Sequence, residues 1–402
     1  MTRSTSLIHH AYQPPAEFEA PQVAVHKAST VIFPNVAAMR EREWLDKSAY
    51  TYGLHGTPTT FTLEERLATL EGGTHCILVP SGLAAIAHVN IALLKTGDEV
   101  LLPDNAYAPN KSFAEAELKQ WGISHQLYNP MDADDLVRKI SKRTRLVWLE
   151  AAGSVTMEFP DLIHMVRVCR ERGVCCVLDN TWGAGLAFNA FDLTPGQGDL
   201  SVDLTIHALT KYPSGGGDVL MGSIITRNDD LAQQLKLSHM RLGTGVGAND
   251  VELLLRSLPS LPLRYAAQDA AARELAQWCA QQDAFAQVLH PALPDAPGHA
   301  HWRALCTGPD RPQGMAAGIF SVALHERLSN AQIDAFCDAL QLFKIGYSWG
   351  GPMSLVVPYH LKHHRALPVP HLRSTRLVRF CIGLEAVQDL QQDMAQALAQ
   401  LN

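Results

Sequence analysis

The chain opens without periodicity. Up to about Thr57 polar and apolar residues are mixed, and Pro14, Pro15, Pro21 and Pro34 interrupt them. That pattern predicts an extended arm, ordered only against a partner surface. At Thr62 it changes: Thr62-Leu63-Glu64-Glu65 has the form of a capping box, Leu63, Leu67 and Leu70 mark one helical face, and Gly72-Gly73 closes it. Strand-like runs follow at Cys76–Val79, Val100–Leu102, Leu146–Leu149, Val174–Leu178, Leu204–Ile206 and Val219–Ile225. Amphipathic helical segments such as Leu162–Arg172 lie between several of them. Short apolar strands alternating with helices predict an α/β fold with a mostly parallel sheet covered on both faces. In such sheets ligands bind beyond the carboxyl ends of the strands, so the residues just after each strand matter most. Leu258–Pro262 (LPSLP) reads as a boundary, and an alanine-rich helix begins at Leu263. After a Pro-rich loop, Leu367–Pro370, the last amphipathic helix spans Ala386–Leu401. The expected organisation is an arm (1–57), a large domain (58–258) and a smaller α+β domain (259–402).

Composition narrows the function. Of 402 residues 47% are hydrophobic, enough for a large core. With 33 Lys plus Arg against 40 Asp plus Glu the formal charge is −7, which gives no counterion-release affinity for nucleic acid. The opening MTRSTSLIHHAYQPP lacks an apolar run and a cleavage pattern, and no run of about 18 apolar residues follows. A cytoplasmic protein acting on a small molecule is expected, with no membrane or nucleic-acid partner. The 8 cysteines are scattered without a zinc spacing and read as buried reduced thiols. His363-His364, between Lys362 and Arg365, reads as a solvated loop with no metal.

Chemistry gathers at strand ends. Pro80-Ser81-Gly82-Leu83-Ala84-Ala85 turns from strand to helix: either a plain glycine turn or an anion site of free amides. Asp179-Asn180-Thr181-Trp182 puts a carboxylate at a buried strand end, where it needs an arginine or a protonated pyridine nitrogen. In His207-Ala208-Leu209-Thr210-Lys211 the lysine is a surface residue or is paired, neutral or covalently used. Tyr107, in Asn105-Ala106-Tyr107, is a packing residue or a ring for a flat cofactor to stack on. Together, a phosphate cradle, a stacking ring, a carboxylate and a lysine fit pyridoxal 5′-phosphate (PLP).

The chain resembles the trans-sulfuration (cysteine/methionine metabolism) family of PLP enzymes over almost its full length. The resemblance is carried by Tyr52–Gly73, PSGLAA at Pro80–Ala85, GSVTMEF at Gly153–Phe159, LDNTWGAG at Leu178–Gly185, LTKY at Leu209–Tyr212, YSWGG at Tyr347–Gly351 and RFCIGLE at Arg379–Glu385. SVTMEF and YSWGG are similar to its cystathionine β-lyase branch. This implies an aspartate-aminotransferase-like (type I) fold and a homotetramer built as a dimer of dimers. It also implies C–S β-elimination from an amino-acid substrate, with cystathionine giving homocysteine, pyruvate and ammonia. A γ-lyase, a γ-synthase or a broader cysteine-S-conjugate β-lyase is the alternative. By the same resemblance Lys211 carries PLP as a Schiff base and acts as the base, and Asp179 pairs with the pyridine nitrogen. Tyr107 stacks on the ring. Gly82, Leu83 and Thr210 hold the phosphate, and Tyr52 reaches the phosphate of a neighbouring subunit. Arg379 clamps the substrate carboxylate beside Ser348 and Trp349. Two positions depart from the family pattern: Leu54 and Ala208 stand where many members carry Arg and Ser.

Overall fold

The computed structural model describes residues 20–45 and 47–401. Pro14, Pro15 and the opening MTRSTSLIHHAYQPP lie outside them. Two sheets organise the chain. The larger consists of β1 (His75–Val79), β2 (Glu99–Pro103), β3 (Ser124–Tyr128), β4 (Thr144–Glu150), β5 (Cys175–Asp179), β6 (Leu204–Ala208) and β7 (Gly222–Thr226), in the order β1-β7-β6-β5-β4-β2-β3. The pairs β2–β3, β2–β4, β4–β5 and β5–β6 are parallel, and β7 runs against both β6 and β1. The apolar runs are continuous because alternate residues enter different cores. Leu101, Val147, Leu149, Cys176 and Leu178 pack on one face; Val100, Leu102, Leu146, Trp148 and Val177 pack on the other.

The second sheet holds β8 (Phe285–Leu289), β9 (Ile319–Leu324), β10 (Lys344–Ile345), β11 (Leu355–His360) and β12 (Arg376–Cys381), in the order β10-β11-β12-β9-β8. It is antiparallel apart from β10–β11. Phe320, Val322, Val378 and Phe380 pack under the helices Leu261–Cys279, Asn330–Ala339 and Val387–Ala397. The alternate residues Ile319, Ala323, Leu377 and Cys381 belong to the core shared with the large sheet. One face of the small sheet thus contributes to the same core as one face of the large sheet.

Several elements differ from the sequence reading. The first long helix spans Pro58–Glu71, with Thr57 as N-cap and a capping box completed by Thr60. Pro58 starts it because proline has no N–H to lose there, and the Thr62 hydroxyl instead donates to the Pro58 carbonyl inside the helix. Gly72 ends it in the left-handed region. β3 has a mostly half-buried, polar sequence and was not anticipated. The Val219–Ile225 run becomes strand only from Gly222, and the strand continues to Thr226, while Met221 bonds back to Thr210. In the arm, Asn35 caps a short helix, Val36–Arg40, and Thr30 bridges to Tyr52. No described helix is long and apolar enough to cross a membrane.

Candidate active site

The carboxyl ends of β1, β4, β5 and β6 converge on a cavity of about 160 Å³. Lys211 enters it from the turn after β6, which the Lys211 N–H closes onto the Ala208 carbonyl at 3.0 Å. Its Nζ donates to Ser348 Oγ at 3.0 Å and lies 4.5 Å from the centre of the Trp349 ring. Burial, then the charge of Arg379, pulls its pKa down to about 8. A lysine so placed loses its proton far more readily than a surface lysine, giving the neutral form in which an amine is a nucleophile or a base. The Trp349 loop reaches this turn because Gly350 has φ +76, and a Cβ there would come within 2.6 Å of the Tyr212 backbone nitrogen.

Asp179 is the last residue of β5 and faces the same cavity. Its Oδ1 accepts the Thr181 N–H at 3.0 Å. Burial raises its pKa despite that bond, so a cation beside it would be bound favourably. Tyr107 lines the cavity and is 39% exposed. At the end of β1, Ser81 Oγ accepts the Ala84 N–H at 3.0 Å and starts the helix Gly82–Leu93. The Gly82 and Leu83 amides precede that bond and are the first N–H groups of the helix, without intrahelical partners. Gly82 sits against Ala208: a Cβ on it would be 2.5 Å from the Ala208 Cβ. Thr210 Oγ1 lies at the same wall and exchanges long bonds, 3.3–3.4 Å, with Met221.

The small sheet supplies the other side. Arg379, within β12, is only 3% exposed. Its guanidinium is sandwiched between Trp349 and Tyr359, at 5.3 and 5.2 Å, and donates through Nη1 to the Ser154 carbonyl at 2.9 Å. Arg379 Nε and Trp349 Nε1 are buried without a partner among the described residues. Orphan donors of this kind are costly unless an acceptor arrives. Tyr52 is not at this cavity. It is 46% exposed in the arm, 5.9 Å from His55, and Leu54 lines a separate cavity of about 520 Å³.

Sequence reasoning missed two carboxylates. Glu150 ends β4 directly opposite Asp179 and lines the cavity. Its position just after the run Leu146–Leu149 was the available signal. Glu71 is buried behind the sheet, 2.8 Å from His207 Nδ1, and accepts from Asn180 and Thr205. Only tertiary packing reveals it.

A family model for Cys/Met metabolism PLP-dependent enzymes matches residues 4–399. The chain belongs to that family. A cystathionine beta-lyase of Salmonella typhimurium is 33% identical over 94% of this chain and 93% of its own length. An L-alanine/L-glutamate racemase of Wolbachia pipientis is 33% identical over 88% of this chain and 83% of its own. The crystal structure of a cystathionine gamma synthase from Xanthomonas oryzae pv. oryzae superposes with a TM-score of 0.83 at 26% identity, covering 100% of this chain and 98% of that one. The family and these neighbours establish the type I fold and pyridoxal 5′-phosphate as the cofactor. The residues present fit it: a depressed lysine, a buried carboxylate, an aromatic ring and a cradle too tight for a Cβ share one cavity.

Proposed function

We propose that the chain catalyses C–S β-elimination, cleaving cystathionine to homocysteine, pyruvate and ammonia. The observation that carries this reading is the Lys211 amine, held between Ser348 and Trp349 in the cavity of Asp179. The lyase name of the Salmonella relative supports it. Bound PLP supplies an electron sink for the substrate Cα. Asp179 holds the proton on the pyridine nitrogen. Gly82 and Leu83 amides and the Thr210 hydroxyl take the phosphate, and Tyr107 covers the ring. Arg379 binds the substrate α-carboxylate with its free donors, as a planar guanidinium does well. Lys211 is tether and base: Nζ removes the α-proton, and Ser348 Oγ orients that amine. Loss of the β-thiolate follows.

The same reading assigns residues 1–57 as an arm that reaches a neighbouring subunit of a homotetramer, with 58–258 the cofactor-binding domain and 259–402 the smaller one. Tyr52 then serves the neighbour's phosphate, and Leu54 leaves that site without the usual arginine. A gamma synthase neighbour shares this chain's fold and a racemase relative is similar to it along most of the chain, so products decide. Cystathionine is expected to give pyruvate and homocysteine. Formation of 2-oxobutyrate and cysteine, or of D-amino acid without cleavage, overturns the assignment.

A further inference from the structure

Glu150 is used by none of the roles above, yet both of its carboxyl oxygens are engaged at the cavity. Its side chain is buried at the end of β4, and its two oxygens hold two different loops. Oε2 accepts the Tyr107 N–H at 2.7 Å, and Oε1 accepts the Ser154 N–H at 3.0 Å. The Ser154 carbonyl in turn receives Arg379 Nη1 at 2.9 Å. One carboxyl therefore ties the ring that faces the cofactor to the guanidinium that faces the substrate carboxylate. It does so from the β-sheet position directly opposite Asp179.

We propose that Glu150 is a positioning residue that sets Tyr107 and, through Ser154, Arg379 for the substrate carboxylate, and that its charge is coupled to that of Asp179. The inference rests on the assignment of this cavity as the PLP site and of Arg379 as the clamp. Two carboxyls side by side in a dry site cannot both ionise cheaply. Burial, then the charge of Asp179, raises the pKa of Glu150 to about 8. A cation arriving at Asp179 relieves that repulsion, lets Glu150 ionise and strengthens its two N–H···O bonds. Cofactor binding at one carboxylate then firms up the carboxylate clamp through the other. The titratable groups facing Glu150 are Asp179 on β5, Tyr107 and Lys111 in the loop and helix after β2, and Tyr128 at the end of β3.

The test is Glu150→Gln in the holoenzyme. Glutamine keeps the size and one acceptor, but its amide nitrogen cannot accept the second N–H. Losing one charge-assisted bond behind the clamp is expected to raise KM about tenfold, with a smaller fall in kcat. Glycine, which has nothing to eliminate, is the binding probe, followed by the absorbance of the cofactor. Its Kd is expected to rise with KM, and the pH dependence of its binding to shift. This readout survives if cystathionine turns out not to be the substrate, so the two readings fail separately. Unchanged KM and glycine affinity in a variant that retains cofactor, or a fall in kcat alone, overturns the proposal. If glutamine prevents folding, Glu150→Asp decides. It keeps the charge but is one methylene short of spanning both amides, so an unchanged Kd for glycine in it overturns the proposal equally.

Discussion

The two sheets bring chemistry to one cavity by different routes. In the large parallel sheet the reactive side chains stand at strand ends: Glu150 closes β4, Asp179 closes β5, and Lys211 lies in the turn just past β6. There helix amides and freed backbone meet the cavity, and each residue can be exchanged without breaking a strand. In the small antiparallel sheet Arg379 sits inside β12, in register with Val357 and Ser321. It stands against Trp349 and Ser154, which line the cavity, because alternation puts Arg379 on the same strand face as Leu377 and Cys381 while Val378 and Phe380 face their own helices. Strand ends supply groups that react. A strand interior, clamped on both sides, supplies one that holds.

That contrast is breakable by substitution. Lys211→Ala removes the base, and turnover is expected to fall by at least about two to four powers of ten, while the phosphate cradle still retains PLP noncovalently. Near wild-type turnover would remove Lys211 from the chemistry. Asp179→Asn is expected to leave the fold intact and to slow deuterium washout from the substrate α-carbon sharply, because an amide cannot hold the proton of a pyridinium. Unchanged exchange would make Asp179 merely structural. On the small-sheet side Arg379→Lys should act on KM rather than kcat, by about tenfold for every amino-acid substrate, since a point charge lacks the two-pronged fit. A kcat effect with KM unchanged would erase the distinction between the two routes.

How legible these routes were in the sequence follows from the same contrast. A buried strand followed by a charged or glycine-bearing turn is a local pattern, so Gly82, Asp179 and Lys211 could be picked out with no partner in view. Arg379 could not. In RLVRFC it looks like an edge charge, and only the family resemblance gave it a role. Glu150 obeyed the strand-end rule and was overlooked. Glu71 and Glu158 were beyond reach, because their partners are supplied by packing. Glu158 meets Arg365 at 2.9 Å and His371 at 2.5 Å, more than 200 positions away in the chain.

Two weaker effects sharpen the comparison. Arg365 joins the loop after β11 to Asp104, at the end of β2, as well as to Glu158, so it fastens the small domain to the large sheet. Burial opposes ionisation of Glu158, but the His371 hydrogen bond and the Arg365 charge outweigh it and hold the carboxyl at about 2, below its ordinary 4.5. A depressed carboxylate stabilises the fold above its unfolded pKa, and that contribution is lost as pH falls from about 4.5 toward 2. Glu158→Gln should therefore cost about 3 kcal/mol near neutrality, and the cost should vanish in acid. Denaturant melts across that range measure it, and a pH-independent difference would refute it. The smallest effect concerns the arm. Leu54→Arg is expected to add one charge-assisted contact to a neighbour's phosphate, about 1.5–3 kcal/mol if formed. It should slow PLP loss in dilute buffer and shift preference from S-methylcysteine toward cystathionine. If neither changes, Leu54 is a packing residue.

The claim beneath all of this is that the turn after β6 holds the cofactor. Reduction of the holoenzyme with borohydride, followed by mass mapping of its peptides, tests it directly. The mass of the reduced cofactor is expected on the peptide containing Lys211, with the label confined to that side chain. Label on another lysine, or none on a yellow protein that bleaches, would contradict it.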